Sequence, residues 1–535
     1  MERRSWLVLF ALLLWRTVDS LSVRTFFQPD EYFQCLEPAW ESAFGPQSGA
    51  WITWEWREHL RSSVHPLIFA AAYKLAAGYA RVTNASPGTT AKILIAAPKL
   101  FQALIAAVGD FNTWKLARKI YGTDSRASWA ALALTVASPW QWFCSIRTFS
   151  NSLEAMLTIY ALSGWPWDKF LGESTPKLSQ LSSSLIAAAL ACILRPTNVI
   201  IWLAVVVSWT FQRRNLQMLL RFLVQCATIG LAVLIPCICI DRVYYGEWVL
   251  PPLEFVYVNL VQSLAMFYGE NRVDYYFTEG LPLLLTLSLP FAVAGLVSCF
   301  KWDVGRAGVA SKVRLVLAVA VCTMVLVMST VKHKEMRFIH PLLPMLHVIA
   351  ARPVATYFHP FPFPQSRVKA AVLIVLLVGN AFIAGYVSMV HQKGVIDVVH
   401  HLRHEQELMP ARILSVGFLM PCHSTPWRSH LVHSQIQAWA LTCEPPVHLT
   451  LQEREQYLDE GDIFYADPVA WIKANVGDAK KLSWPSHLVF FQSLEPIVAD
   501  LLSESGYRQC WRGFNTQWHD DSRRQGHVLV WCRDE

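Results

Sequence analysis

Two clusters of polar residues stand out in an otherwise apolar chain. The first begins at Gln28-Pro29-Asp30-Glu31 and continues through Thr53-Trp54-Glu55-Trp56, Arg61-Ser62-Ser63 and His65-Pro66. Neighbouring residues on a helix or strand point in different directions, so Asp30 and Glu31 are expected to take different roles rather than share one proton. A single carboxylate suits an inverting sugar transfer from an activated donor. It acts as general base to the attacking hydroxyl, and a departing phosphate needs no second acid. Glycoside hydrolysis, by contrast, normally needs a spaced carboxylate pair. The same two acids would also suit the capping of a helix at a lipid boundary, and spacing alone leaves both readings open.

The second cluster is Lys332-His333-Lys334-Glu335-Met336-Arg337-Phe338. Lys and Arg bind phosphate through charge-assisted hydrogen bonds. Arg147, in Arg147-Thr148-Phe149-Ser150-Asn151-Ser152, and Arg195, in Arg195-Pro196-Thr197-Asn198, are further cations for an anionic headgroup, or arginines snorkelling from helix ends. Tyr244, Tyr245, Tyr275 and Tyr276 suit stacking on sugar faces or an interfacial belt.

The elements that must carry these residues are membrane spans. The chain has 535 residues, 54% hydrophobic and only 16% charged, against about 25% charged in ordinary globular domains. Mean hydropathy is +0.31. Disordered and fibrous classes are excluded, and the net charge of +7 reads as topology rather than nucleic-acid binding. Apolar runs fall near 6–15, 92–110, 127–143, 149–166, 183–195, 197–211, 217–240, 281–300, 313–331, 338–352 and 370–389. The first resembles a signal-peptide core, but apolar character resumes beyond Asp19 without a clear cleavage site, so an uncleaved span is expected. Lys115, Arg118, Lys119 and Arg126, then Arg213 and Arg214, then Lys301, Arg306, Lys312 and Arg314, then Arg367 and Lys369 mark cytosolic loops by the positive-inside rule. Loops 24–64, 144–150, 241–280 and 332–337 then fall in a lumen. The counts agree if Val64–Ala80 is a helix lying along the luminal face. The expectation is about 11 spans, a cytosolic N-terminus and a luminal C-terminus. The cations of 332–337 sit on the side that orientation disfavours, which a phosphorylated ligand would explain; a span count off by one would explain it too.

After residue 390 the chain turns polar and rich in proline and histidine, long enough for one soluble domain. The expected division is 1–390, a transmembrane domain with its first luminal loop at about 24–91, and 391–535, a luminal domain. Cys422, Cys443, Cys510 and Cys532 suggest two disulfides in an oxidising lumen, with three connectivities open, or free buried thiols. No Cys-x-x-Cys points to zinc. Asn84-Ala85-Ser86 is a glycosylation sequon on the luminal side, either used or too close to the bilayer.

Taken in order, Pro-Asp-Glu after the first span, Thr-Trp-Glu-Trp, Arg-Ser-x-x-His-Pro, Arg-Thr-x-Ser-Asn, Arg-Pro-Thr and His-Lys-Glu-x-Arg-Phe resemble the dolichyl-phosphate-mannose-dependent α-mannosyltransferases of the endoplasmic reticulum, which have the GT-C fold. Pro421-Cys422-His423-Ser424-Thr425-Pro426-Trp427, with His430 and His433, resembles the branch that builds the GPI anchor, and within it the enzymes adding the third, α-1,2-linked mannose. The resemblance implies a polytopic α-helical GT-C enzyme with luminal amphipathic helices in its first loop. Asp30 would be catalytic with Glu31 supporting. Lys332, His333, Lys334, Arg337, Arg147 and Arg195 would meet the donor phosphate, and Trp54, Glu55, His65 and Tyr245 the acceptor. It implies dolichyl-phosphate-mannose and a GPI precursor glycolipid as substrates, no nucleotide sugar, no cofactor, no metal and no nucleic acid. The family more often has His or Asn where this chain has Gln28. The alternatives are a GPI fourth-mannose transferase, a lipid-linked N-glycan α-mannosyltransferase and, more distantly, a secondary transporter.

Overall fold

A computed structural model describes residues 3–171, 177–213, 216–301, 308–454, 456–477 and 480–533. Arg214 and Arg306, counted among the expected cytosolic charges, lie outside the described residues. Among the described residues, seven helices are long and apolar enough to cross a membrane: Arg3–Ser22, Pro87–Tyr121, Leu219–Tyr245, Tyr276–Phe300, Val309–Thr330, Met336–Tyr357 and Arg367–Met389. Two shorter apolar helices are Leu178–Leu194 and Pro196–Ser208. This is a multi-pass membrane protein of helical architecture with a C-terminal β-sheet domain.

Local chemistry sets many of the boundaries. Ser86 accepts from the Thr89 amide and Pro87 fills the first helical position, so the 35-residue helix Pro87–Tyr121 starts where both signals coincide. It stops at Gly122, whose φ of +98° suits glycine. The apolar run 127–143 divides into Arg126–Ala137 and Pro139–Cys144, because Ser138 leaves the helical region and its hydroxyl accepts from the Gln141 amide. The runs around Arg195-Pro196 are two helices, Leu178–Leu194 and Val199–Arg213, separated by extended backbone at Arg195 and a 3-10 turn over Pro196–Asn198. The helix expected to end near 240 continues to Tyr245.

The chain divides into two compact units. One comprises Met1–Leu21, His59–His65 and Lys99–Ala384; the other comprises Ser22–Glu58, Pro66–Pro98 and Gly385–Glu535. In the first unit, the span Met336–Tyr357 is mostly buried, whereas Arg367–Met389 is only 6% buried over its apolar window. The former is therefore a central helix and the latter meets lipid.

The second unit holds the helices of the first long loop, Glu37–Phe44, Trp54–Arg57 and Val64–Val82, the last two flanking the unit boundary. It also holds a five-stranded sheet: β1 (Leu414–Leu419), β2 (Ile436–Ala440), β3 (His487–Phe491), β4 (Tyr507–Thr516) and β5 (Gly526–Arg533). The order is β2-β1-β3-β5-β4, with β1 parallel to β2 and β3, and β5 antiparallel to β3 and β4. Parallel strands need crossovers; the intervening chain supplies Glu460–Ala466 and Pro468–Asn475, capped by Asp459 and Asp467. Phe464, Trp471, Leu488, Phe490 and Leu529 pack into one core beside the sheet. Cys422 pairs with Cys443 and Cys510 with Cys532, at Cα separations of 5.8 and 5.7 Å.

Candidate active site

In the second unit, Asp30 and Glu31 occupy the first turn of a helical stretch that runs on through a π-helical turn, Tyr32–Leu36, into Glu37–Phe44. The Pro29 carbonyl starts this stretch by accepting from the Tyr32 and Phe33 amides at 2.9 Å. Glu31 is 9% exposed and its side chain does not cap the π-turn; Asp30 is half-buried. Asp30 is thus the more exposed of the two neighbours.

The residues after this acidic turn are held by the C-terminal segment. Tyr32 stacks on Phe26 and meets the His430 ring edge-on, with centroids 5.2 and 5.3 Å apart. Phe33 lies 4.3 Å from His423 and 5.3 Å from Trp51, and Trp51 also packs on His423 and Trp427. Trp56 donates its indole N–H to the Phe33 carbonyl at 3.1 Å. Burial, helped by the charge of Arg524, pushes the His423 imidazole down to about 3, so its ring is neutral and packs as an aromatic.

Glu37 is fully buried and bridges the two segments. Its Oε1 accepts from the Ser429 amide at 2.8 Å and its Oε2 from the Trp51 amide at 3.1 Å. Sequence reasoning missed Glu37; its signal was one acid within the apolar stretch Tyr32–Trp40. Glu55, expected on the acceptor, has its oxygens engaged internally by Gln34 Nε2 at 3.0 Å and Thr53 Oγ1 at 2.6 Å. Trp54 is buried beside it. Asn84 is exposed, in the turn between Val64–Val82 and Pro87–Tyr121.

The first unit gathers the cations. Phe338 has two guanidinium groups near its ring, the Arg195 carbon 5.4 Å and the Arg337 carbon 5.7 Å from its centroid. Arg337 Nη2 donates to Glu335 Oε1 at 2.8 Å, and His333 Nε2 lies 3.2 Å from the same oxygen. Burial alone would raise the Glu335 carboxyl, but the Arg337 charge and the bonds from His333 and Arg337 outweigh it and bring it down to about 2. Arg195 also lies 3.9 Å from Glu154, which accepts from Asn198 at 2.9 Å.

Lys334 is buried, and its ammonium donates to the carbonyls of Asn271 at 3.0 Å and Lys332 at 3.5 Å. Asn271 Oδ1 accepts from the Lys334 amide at 2.9 Å, and the Asn271 amide donates to the Lys332 carbonyl at 3.0 Å. This tie pins the cationic segment to the 269–276 loop, and no local pattern marked Asn271 for it. Lys332 is exposed, 3.6 Å from Glu270. Arg147 is buried, donates to the Phe143 carbonyl at 3.0 Å and lies over the Phe143 ring.

His65 and Tyr245 belong to this unit too. His65 is buried, and desolvation with the nearby Arg61 charge lowers its imidazole to about 3. Tyr245 donates to the Arg61 carbonyl at 2.5 Å and meets the His59 ring edge-on. Asp241 accepts from the Ser63 amide and hydroxyl, each at 2.7 Å, which anchors the Arg61-Ser62-Ser63 segment to the helix ending at Tyr245.

Comparison with known proteins extends these observations. A sequence model of the Alg9-like mannosyltransferase family matches residues 6–432. The chain is 44% identical to GPI mannosyltransferase 3 of Aspergillus fumigatus, over 98% of this chain and 77% of that one. It is 34% identical to GPI alpha-1,2-mannosyltransferase 3 of Mus musculus, over 99% of this chain and 89% of that one. Among solved structures, ArnT from Cupriavidus metallidurans bound to undecaprenyl phosphate superposes with a TM-score of 0.60, covering 99% of this chain and 98% of that one. At 13% identity this likeness concerns the fold alone, and it is the GT-C-like fold expected.

Proposed function

The chain belongs to the Alg9-like mannosyltransferase family, and from that premise we propose that it is the α-1,2-mannosyltransferase that adds the third mannose of the GPI anchor. The observation that carries this reading is similarity over nearly the whole chain to proteins named for that step, tail included. The donor is dolichyl-phosphate-mannose and the acceptor the two-mannose GPI precursor, in the endoplasmic reticulum membrane. The likeness to a fold seen with a polyprenyl phosphate supports a lipid-phosphate donor.

Asp30 takes the proton from the 2-hydroxyl of the second mannose. That oxygen attacks the anomeric carbon of the β-mannosyl phosphate, the bond from that carbon to the phosphate oxygen breaks, and dolichyl phosphate leaves. One displacement turns a β-donor into an α-product. Arg337 and Arg195, gathered on Phe338, meet the charge that grows on the departing phosphate. Glu335 holds Arg337 in place. Glu31 supports Asp30.

The full topology is eleven crossings with the N-terminus cytosolic and the C-terminus luminal. Arg126–Cys144 and Ser150–Gly164 complete the set begun by the seven long and two shorter apolar helices. Val64–Val82 lies along the luminal face.

The test uses purified protein, labelled dolichyl-phosphate-mannose and a defined two-mannose GPI acceptor, with the product linkage identified. Wild type yields an α-1,2-linked third mannose, and Asp30→Asn loses about 10²–10⁴ in rate. Near-normal conversion by Asp30→Asn would overturn its assignment as base. Transfer only to another acceptor would overturn the step.

A further inference from the structure

Within the first unit, an apolar cavity of about 530 Å³ is lined by Leu134, Ala137, Phe291, Phe358, Leu373 and Leu377, among others. It runs beside residues 370–380 of the lipid-exposed helix Arg367–Met389, about 15 Å along its axis. One end carries cations. Arg126 Nη1 donates to His359 Nε2 at 2.6 Å, and Lys369 Nζ lies 4.8 Å from the Tyr357 ring centroid. Ala130, one helical turn after Arg126, lines the cavity; so do Phe358, beside His359, and Ala370, beside Lys369. Arg126 thus lies one helical turn, and His359 and Lys369 one residue, from residues that line the apolar chamber.

This end is far from the cationic segment described above. The helix Met336–Tyr357 starts beside Arg337, and Val354 within it and Phe358 just after it line the cavity 17 and 21 residues beyond Arg337, about 26–32 Å away, close to the ~30 Å of a hydrocarbon core. A polyisoprenyl chain whose phosphate sits at Arg337 would leave these basic residues with no anion, since the chain carries no charge. A glycerophospholipid of the other leaflet places an acyl chain and a phosphate where apolar walls and cations already stand.

We propose that this cavity binds one anionic glycerophospholipid, with an acyl chain between Leu134, Phe291 and Leu377 and the net-negative headgroup against Arg126 and Lys369. The bound lipid fills the space between Arg126–Ala137 and the helix Arg367–Met389.

The test is native mass spectrometry of the delipidated full-length protein titrated with palmitoyl-oleoyl phosphatidylserine or phosphatidylcholine. Wild type retains one phosphatidylserine in preference to phosphatidylcholine. Arg126→Gln with Lys369→Gln, exposed or half-exposed changes, weakens phosphatidylserine binding roughly thirtyfold, at about 1 kcal/mol per cation, and weakens phosphatidylcholine, whose choline offsets its phosphate charge, by much less. Ala133→Phe, which narrows the chamber, lowers retention of both. Equal retention of the two lipids by wild type would overturn the proposal. So would a phosphatidylserine preference that survives the double substitution. Displacement of phosphatidylserine by dolichyl phosphate would give the cavity to the donor's chain instead. Lipid retention is read independently of mannose transfer, so a failed transfer assay bears on the functional reading and not on this site.

Discussion

Removing the Glu37 carboxylate is expected to loosen the acidic turn, and the structure sets the size of the effect. Glu37→Ala strands the Ser429 amide in a buried place and the Trp51 amide in a part-buried one, both now bonded to the carboxylate. An unmet buried donor costs about 1–3 kcal/mol, so two cost about 2–6 kcal/mol, out of a total stability of about 5–15 kcal/mol. Glu37→Gln keeps one acceptor oxygen and the side-chain volume, and should cost about half as much. At about 2–4 °C per kcal/mol, midpoints fall by roughly 10 °C for alanine and 5 °C for glutamine, read by size-exclusion thermostability of a fluorescent fusion. Burial raises the Glu37 carboxyl against the opposing bonds from Ser429 and Trp51 and the Arg428 charge. A raised folded value means that the stabilising contribution is fully present below the unfolded value of about 4.3 and is lost as pH rises through the folded value. The stability of wild type relative to Glu37→Gln therefore declines as pH is raised. Equal midpoints for alanine and glutamine, or an alanine variant within about 1 °C of wild type, would refute the bridging role.

Other outcomes follow from the same geometry. Cys422→Ser with Cys443→Ser opens a loop of 21-residue separation and should cost about 3 kcal/mol; reductant, which opens Cys510–Cys532 as well, should lower the wild-type midpoint at least as far, and no shift in the double variant would refute the bond's role. Glu335→Gln should destabilise the protein at pH 7. The depressed carboxyl contributes above about 4.3 and loses its contribution as pH falls towards 2, so the gap from wild type narrows in that window when followed by thermal midpoint. Asn84, exposed in its turn, should carry a glycan, giving an endoglycosidase mobility shift in wild type and none in Asn84→Gln; a shift that persists in the variant refutes the assignment.

The sequence made the lipid-facing elements easy to see and the supports of the acidic turn hard to see. The run 370–389 lies within a helix that meets lipid along nearly all its length, so hydropathy alone marks it. The helix Met336–Tyr357 is equally apolar enough to span, yet it is central, because hydropathy does not separate lipid from protein as the apolar partner. Arg195-Pro196 offered a break, since proline removes a helical hydrogen bond, although Pro98 and Pro236 lie inside continuous helices. Ser138-Pro139 carries the same signal inside an apolar run, and the run masked it. Asp30 and Glu31 were legible from type and position. Their surroundings were not: Phe33 packs on His423 and Glu37 bonds to Ser429, partners about 390 residues away in sequence. Nothing local encodes such a pairing.

The same limit separates the cations of the second cluster, where charge counting treated Lys332, Lys334 and Arg337 alike. The structure does not. Lys334 is buried with its ammonium directed at two carbonyls, so its charge holds the 269–276 loop against the segment that follows. An ammonium has three donors, and two of these directions are already committed. Lys332 is exposed and pairs with Glu270, where solvent screening makes the pair weak. Arg337 differs from both. A guanidinium carries five N–H donors in a rigid fork, and the bond to Glu335 and the Phe338 ring fix its plane. Arg195 reaches the same ring from a different helix end. Two planar cations near one aromatic ring, Arg195 beside the buried Glu154 and Arg337 bonded to the half-buried Glu335, are oriented before any anion arrives. A pre-oriented pair reorganises little as negative charge develops on a leaving group, and that is the condition under which an electrostatic contact lowers a barrier rather than merely binding a substrate.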